Sequence, residues 1–234
     1  MSTPMSSPVD PRAERPSAVL FDLDGTLVDS ERLWLDAVRS RLGEAGRTVS
    51  PALLAQFEGL TTLDSARTLI EVGGLDAHET VIAAELEQLT IDAFAGRLSW
   101  IPGAEEALSS LRRAGTPLAL VTSSTRRWVA AVTENIPLGP FAVVVTVDDV
   151  EHAKPDAEPY LRATGLLGID PGACLVFEDS SVGVRAAVAA GCRVVQVRPD
   201  HHDATCDITT RIPDLRPVTA GWVASQLTRT PTLL

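Results

Sequence analysis

Aromatic residues are scarce in this chain, at 4% of 234 residues. The core must therefore rest on Val, Leu, Ile and Ala, which suit a parallel sheet buried between helices. Cysteines are few and odd in number, at Cys174, Cys192 and Cys206. They are scattered and form no C-x-x-C pair, which argues against a disulfide framework or a zinc site and leaves buried thiols. No apolar run is long enough to span a bilayer. Met1 to Pro16 is rich in Pro and Ser and lacks the apolar centre of a signal peptide, so residues 1–17 read as a disordered tail on a cytoplasmic protein. Basic charge is in deficit, with a formal net charge of -11. Such a chain repels phosphate backbones, so no nucleic-acid partner is expected. A small anionic substrate remains compatible, because a metal ion and one or two basic side chains reverse the potential locally.

What is present is ordinary globular composition, 45% hydrophobic and 22% charged. The length suits one large domain, or a core carrying a modest insert. Ala18-Val19-Leu20-Phe21 reads as a buried strand running into an acidic, Gly-containing turn, and Asp29-Ser30 offers helix-capping side chains. From Glu31 to about Arg97 the spacing is amphipathic, as in Leu33, Ala37, Val38 and Leu42, and no strand pattern occurs. After Pro102-Gly103, strand and helix alternate. Helices are predicted over 104–114, 126–135, 155–165 and 182–190. Strands are predicted over 117–121, 141–147, 174–177 and 193–197. The pattern implies an α/β fold, a Rossmann-like parallel sheet with helices on both faces. Residues 18–30 and 98–234 form its core, and 31–97 a small α-helical cap inserted after the first strand.

Polar clusters fall just after apolar strands: Asp22 and Asp24, Thr122 and Ser123, Glu178 and Asp179. In an open parallel sheet, ligands bind beyond the carboxyl ends of the strands, so these clusters converge on one edge. Asp22 and Asp24 are close enough to repel, and a divalent cation relieves that conflict. Magnesium takes carboxylate and carbonyl oxygens together with waters and phosphate. Taken alone, Asp-x-Asp-Gly is equally a simple turn. Lys154 can neutralise a phosphoryl group, or be a solvated surface lysine. Thr122 can donate its hydroxyl to a phosphoryl oxygen, while Ser123, Ser124 or Thr125 can cap the next helix.

The segment Phe21-Asp22-Leu23-Asp24-Gly25-Thr26-Leu27-Val28-Asp29-Ser30 resembles the first motif of the haloacid dehalogenase superfamily. Val121-Thr122-Ser123, Ala153-Lys154-Pro155 and Phe177-Glu178-Asp179-Ser180-Ser181-Val182-Gly183 resemble its second, third and fourth. The match runs from about Ala18 to Val197 and resembles the branch of sugar phosphatases and β-phosphoglucomutase. The resemblance implies a phosphatase in which Asp22 attacks phosphorus to form an aspartyl-phosphate. Asp24 would protonate the leaving alcohol and then activate water. Leu23, Thr122, Ser123 and Lys154 would hold the phosphoryl group. Asp22, Asp24 through its carbonyl, Asp179 and Glu178, directly or through water, would bind Mg2+.

Asp24 argues against dehalogenation, since family dehalogenases lack this second aspartate. A mutase must hold a second phosphate in its cap, yet Phe57-Glu58-Gly59-Leu60-Thr61-Thr62-Leu63-Asp64-Ser65 has no Lys or Arg. Hydrolysis is therefore expected, on a small phosphorylated metabolite such as a sugar or polyol phosphate, by a monomer. A β-phosphoglucomutase-like mutase and a non-catalytic phosphate-binding protein are the alternatives. Trp34 reads as cap packing, Arg126 as a substrate contact or a solvated side chain, and His201, His202 and Asp203 as a solvated loop rather than a metal cluster.

Overall fold

A computed structural model describes residues 18–57, 60–198 and 208–227. The expected tail at 1–17, the histidine pair with Asp203, Cys206, and Glu58 and Gly59 of the cap stretch lie outside the described residues. Six parallel strands form one sheet: β1 (Ala18–Phe21), β2 (Leu118–Val121), β3 (Val143–Val145), β4 (Cys174–Glu178), β5 (Arg193–Val197) and β6 (Thr210–Ile212), in the order β3-β2-β1-β4-β5-β6. β1 and β2 are unbroken apolar runs and β4 is apolar up to its terminal Glu178, and all three are buried because both faces are covered. Val19, Phe21, Leu118, Leu120, Leu175 and Phe177 point into one core. Their alternates Ala18, Leu20, Ala119, Val121, Cys174 and Val176 point into the other. The period of two along each strand thus builds a three-layer α/β sandwich.

Helices α1 (Glu31–Glu44), α2 (Pro51–Leu54), α3 (Thr62–Gly73) and α4 (Glu79–Asp92) follow β1 without an intervening strand. They share a core of their own, made of Ala37, Val38, Leu42, Leu54, Phe57, Ala66, Leu69, Ile82 and Leu86. Helices α5 (Ala104–Arg113), α6 (Arg126–Asn135), α7 (Glu158–Leu167), α8 (Ser181–Ala189) and α9 (Ala220–Leu227) belong with the sheet. α5, α6 and α9 supply side chains to the first core, and α7 and α8 to the second.

Several boundaries differ from the sequence reading, each for a local reason. The strand expected over 141–147 pairs only at Val143–Val145. Beyond it, Thr146 and Asp149 form a reciprocal capping box that turns the chain into a 3-10 helix. The helix expected from Pro155 starts at Glu158, whose amide is held by Asp156, with Pro159 in the first turn where a missing N–H is tolerated. Sequence periodicity missed β6 and α9. β6 has three residues, too few to display a period. Ser30 stands at the start of α1, but its hydroxyl makes no capping hydrogen bond.

Leu111 of α5 is fully buried in the first core, far along the chain from the acidic clusters. Leu111→Ala should cost about 2–5 kcal/mol. Urea unfolding should show a lower midpoint with an unchanged m-value, while kinetic constants of the folded fraction stay as in the parent.

Candidate active site

Strand order reverses between β1 and β4, the topological switch point at which ligands bind in such sheets. Asp22 directly follows β1, and Glu178 ends β4 with Asp179 after it. Phe21 pairs with Phe177 across the two strands, and their rings stack at 4.9 Å. The Asp22 amide donates to the Phe177 carbonyl at 3.0 Å, which extends the ladder to the acidic turn. β2 delivers Thr122 on the other side, and the connection from β3 to α7 delivers Lys154.

Lys154 is buried, and its ammonium donates to Asp22 Oδ1 at 2.7 Å, Glu178 Oε1 at 2.5 Å and the Val121 carbonyl at 2.9 Å. Its three protons are thereby used. Burial alone would lower this ammonium, but the Asp22 and Glu178 carboxylates outweigh it and hold the group above its ordinary value. Glu178 is fully buried, and Oε1 also accepts from the Tyr160 hydroxyl at 2.8 Å. Its Oε2 accepts from the Ser180 amide and hydroxyl at 3.3 and 3.1 Å.

Asp22, Glu178 and Asp179 each bring a carboxylate oxygen within 4.8 Å of the others. Burial pushes Asp22 up to about 7, opposed by Lys154 and reinforced by Glu178. Asp179 is raised well above 3.8, first by burial and then by Asp22 and Glu178. One ammonium does not neutralise three carboxylates, and an all-oxygen donor set fits a hard divalent cation. The backbone is shaped around these oxygens. A Cβ on Gly25, where φ is +81°, would lie 1.9 Å from Asp179 Oδ2. A Cβ on Gly183 would lie 1.8 Å from Glu178 Oε1. Both positions exclude a side chain so that the carboxylates can occupy the space.

Asp24 has a different environment. Its Oδ1 accepts from Ser30 Oγ at 2.6 Å and Trp128 Nε1 at 2.9 Å, and its Oδ2 accepts from Ser124 Oγ at 2.6 Å. Burial raises its pKa, and the hydrogen bonds from Ser124, Ser30 and Trp128 oppose that rise. Its carboxylate is outside the three-carboxylate cluster, so a metal contact from Asp24 has to come from its carbonyl. Thr122 is buried, and its hydroxyl accepts from the Ser124 amide at 3.0 Å, which leaves the hydroxyl proton to donate. Leu23 is a buried alkyl whose carbonyl accepts from Leu27 and Val28, so only its amide can serve an anion. Ser123 is exposed beside them.

Two residues central to this arrangement escaped sequence reasoning. Tyr160 is the chain's single tyrosine, and Lys154 its single lysine; both singular residues meet on Glu178. Trp128 was visible at the start of α6, but nothing local signals that its indole reaches back to Asp24. Trp34 packs edge-on to Trp128 at 6.3 Å, in line with a packing role. Arg126 pairs with Asp149 at 2.6 Å and is exposed. A hollow of about 260 Å3 between residues 114–117 and 220–224 lies before β2, at the opposite edge, and its lining carries no ionisable side chain.

A family model described as haloacid dehalogenase-like hydrolase matches residues 19–197. Hexitol phosphatase A of Escherichia coli is 37% identical over 182 residues, which is 76% of this chain and 81% of the relative. Fructose-1-phosphate phosphatase YqaB of the same organism is 30% identical over 186 residues, 79% and 98% of the two chains. The structure of β-phosphoglucomutase from Clostridium difficile has the same fold, with a TM-score of 0.74 at 17% identity over 90% of this chain and 96% of that one.

Because Asp22 and Asp179 are raised in the folded chain, the metal-free fold is favoured at low pH and loses that contribution as pH rises through about 7. A divalent cation must displace those protons, so its binding strengthens over the same range. The gap in Tm between magnesium-loaded and chelator-treated protein should be wider at pH 8 than at pH 5.5. An equal gap at both pH values would remove this account of the cluster.

Proposed function

The chain belongs to the haloacid dehalogenase-like hydrolase family, and from that membership we propose that it hydrolyses sugar or polyol phosphates, with magnesium, through an aspartyl-phosphate on Asp22. Kinship with named phosphatases makes it a hydrolase of phosphate monoesters. The observation that carries the finer reading is the placement of Asp22 in the acidic cluster with Glu178 and Asp179, with Lys154 at 2.7 Å on Oδ1. That contact leaves Oδ2 as the attacking oxygen.

In the first step Asp22 Oδ2 forms a bond to phosphorus as the ester P–O bond breaks. The proton on Asp24 goes to the departing alcohol oxygen. In the second step Asp24 takes a proton from water, whose oxygen displaces Asp22 and releases inorganic phosphate. Covalent catalysis of this kind divides one hard displacement into two easier ones. The Thr122 hydroxyl and the amides of Leu23 and Ser123 hold the phosphoryl oxygens, with Lys154 balancing their charge. Asp22, Asp179 and the Asp24 carbonyl would hold the magnesium ion. Glu178, whose two oxygens are already hydrogen-bonded, would act through water. Bound there, the ion supplies charge neutralisation to the phosphoryl oxygens.

Residues 31–97 form the cap in this reading, over a core of 18–30 and 98–234, and the separate apolar core of α1 to α4 supports it. A cap of this size favours small soluble esters. The stretch 57–65 has no Lys or Arg. Arg67, just beyond, has its guanidinium on Glu79 at 2.7 and 2.9 Å and on Asp64 at 3.0 Å. No cation is thus offered to a second phosphate from this part of the cap, which supports water as the acceptor over a sugar phosphate.

Asp22→Asn should lower kcat by about 1,000-fold or more with a sugar phosphate while the folded spectrum is kept. Retention of most activity would show that the nucleophile lies elsewhere. A panel of hexitol, ketose and glycerol phosphates, ranked by kcat/KM, should give magnesium-dependent phosphate release. Isomerisation of β-glucose 1-phosphate outrunning release, with a bisphosphate activator present, would replace hydrolysis by mutase activity.

A further inference from the structure

The three donors on Asp24 are chemically unequal. A serine hydroxyl can turn and accept, whereas an indole N–H only donates. Oδ1, which faces Trp128 Nε1 at 2.9 Å, is therefore an acceptor in either protonation state. A proton on this carboxyl sits on Oδ2, where the Ser124 hydroxyl at 2.6 Å can reverse. Trp128 is not free to swing away. It is buried, with Phe94 edge-on at 5.0 Å and 85°, and Trp34 edge-on at 6.3 Å and 68°. Those two rings come from α1 and from the return segment after α4, so the indole is wedged between the helical insert and the sheet domain. Ser30, the second donor to Oδ1 at 2.6 Å, makes no capping hydrogen bond to α1. Its hydroxyl is committed to Asp24.

We infer that Trp128 is a positioning residue which, together with Ser30, anchors the Asp24 carboxyl by Oδ1 so that Oδ2 alone carries and delivers the proton. The inference rests on the phosphatase reading and deepens it. In the step concerned, the Asp22–phosphorus bond forms and the ester P–O bond breaks. The bonding electron pair stays on the departing oxygen, which receives the proton from Oδ2.

The test is the dependence of kcat/KM on leaving-group pKa, measured over aryl and alkyl phosphates on the full chain with magnesium. An acid in position flattens that dependence, because poor leaving groups need the proton most. Trp128→Phe keeps an aromatic ring and removes the N–H along with the indole's five-membered ring. It should lose about 10- to 100-fold more activity with alkyl phosphates than with p-nitrophenyl phosphate, as expected for a misdirected acid. Ser30→Ala, a change of one oxygen atom, should steepen the line in the same sense by a smaller factor. A uniform drop across the series, giving parallel lines, or no change in either variant, overturns the inference. If Trp128→Phe fails to fold by circular dichroism, Ser30→Ala decides alone, with a steeper line upholding the inference and a parallel one overturning it. Parent protein that turns over no member of the series removes the phosphatase reading and the inference together. An active parent with parallel lines removes only the inference.

Discussion

Three carboxylates gathered around a single buried ammonium set the terms for the rest of this molecule. Isolated charges are expensive to take out of water, and removing one member of a buried pair typically costs about 3–5 kcal/mol. Lys154 meets that demand with all three protons, on Asp22, Glu178 and the Val121 carbonyl. The three partners come from the ends of β1, β4 and β2, so the ion cluster can form only once those strands lie side by side. Tyr160 and Ser180 then saturate Glu178. Gly25 and Gly183 keep clear the volume the carboxylates need. What stays unbalanced is negative charge in an oxygen-only cluster, which is the condition for taking a hard cation and a phosphoryl group together.

Asp22 and Asp24 share a turn and a residue type, yet their surroundings differ. Asp22 faces an ammonium and two other carboxylates. Asp24 faces only neutral donors: two hydroxyls and an indole. In the proposed reaction the ammonium beside Asp22 favours its anion, the form that attacks. Neutral donors suit a group that must gain and lose a proton within one turnover. Two carboxyls whose environments differ in this way can divide nucleophilic and acid–base work between them.

Much of this was legible in the sequence, because apolar strands of four or five residues with polar residues at their carboxyl ends carry both fold and site. The alternation after Pro102-Gly103 gave α5, α6, α8, β4 and β5 to within a residue or so. The polar clusters after β1 and β4 fell where the switch point of the sheet lies, with Thr122 and Ser123 beside them after β2. What escaped was either too short to be periodic or depended on contacts between distant segments. β6 is three residues long, and β3 ends where the capping box of Thr146 and Asp149 prevails over β-branched propensity. Ser30 reads as a helix cap, but its hydroxyl turns to Asp24. The Trp128 bond to Asp24 spans 104 positions and the Lys154 bond to Asp22 spans 132, separations at which no local pattern operates.

The chain uses lysine once. Four histidines aside, every other basic side chain is arginine, so the only ε-amine lies against the Asp22 carboxylate. Amine-selective reagents therefore have no exposed lysine to consume them. In the proposed reading, acylation of that amine reports on whether the site has opened, and protection by inorganic phosphate on whether it is filled. Surface attachment through lysine is closed to this protein without disabling it, and a lysine placed anywhere on its exterior would be a unique chemical handle.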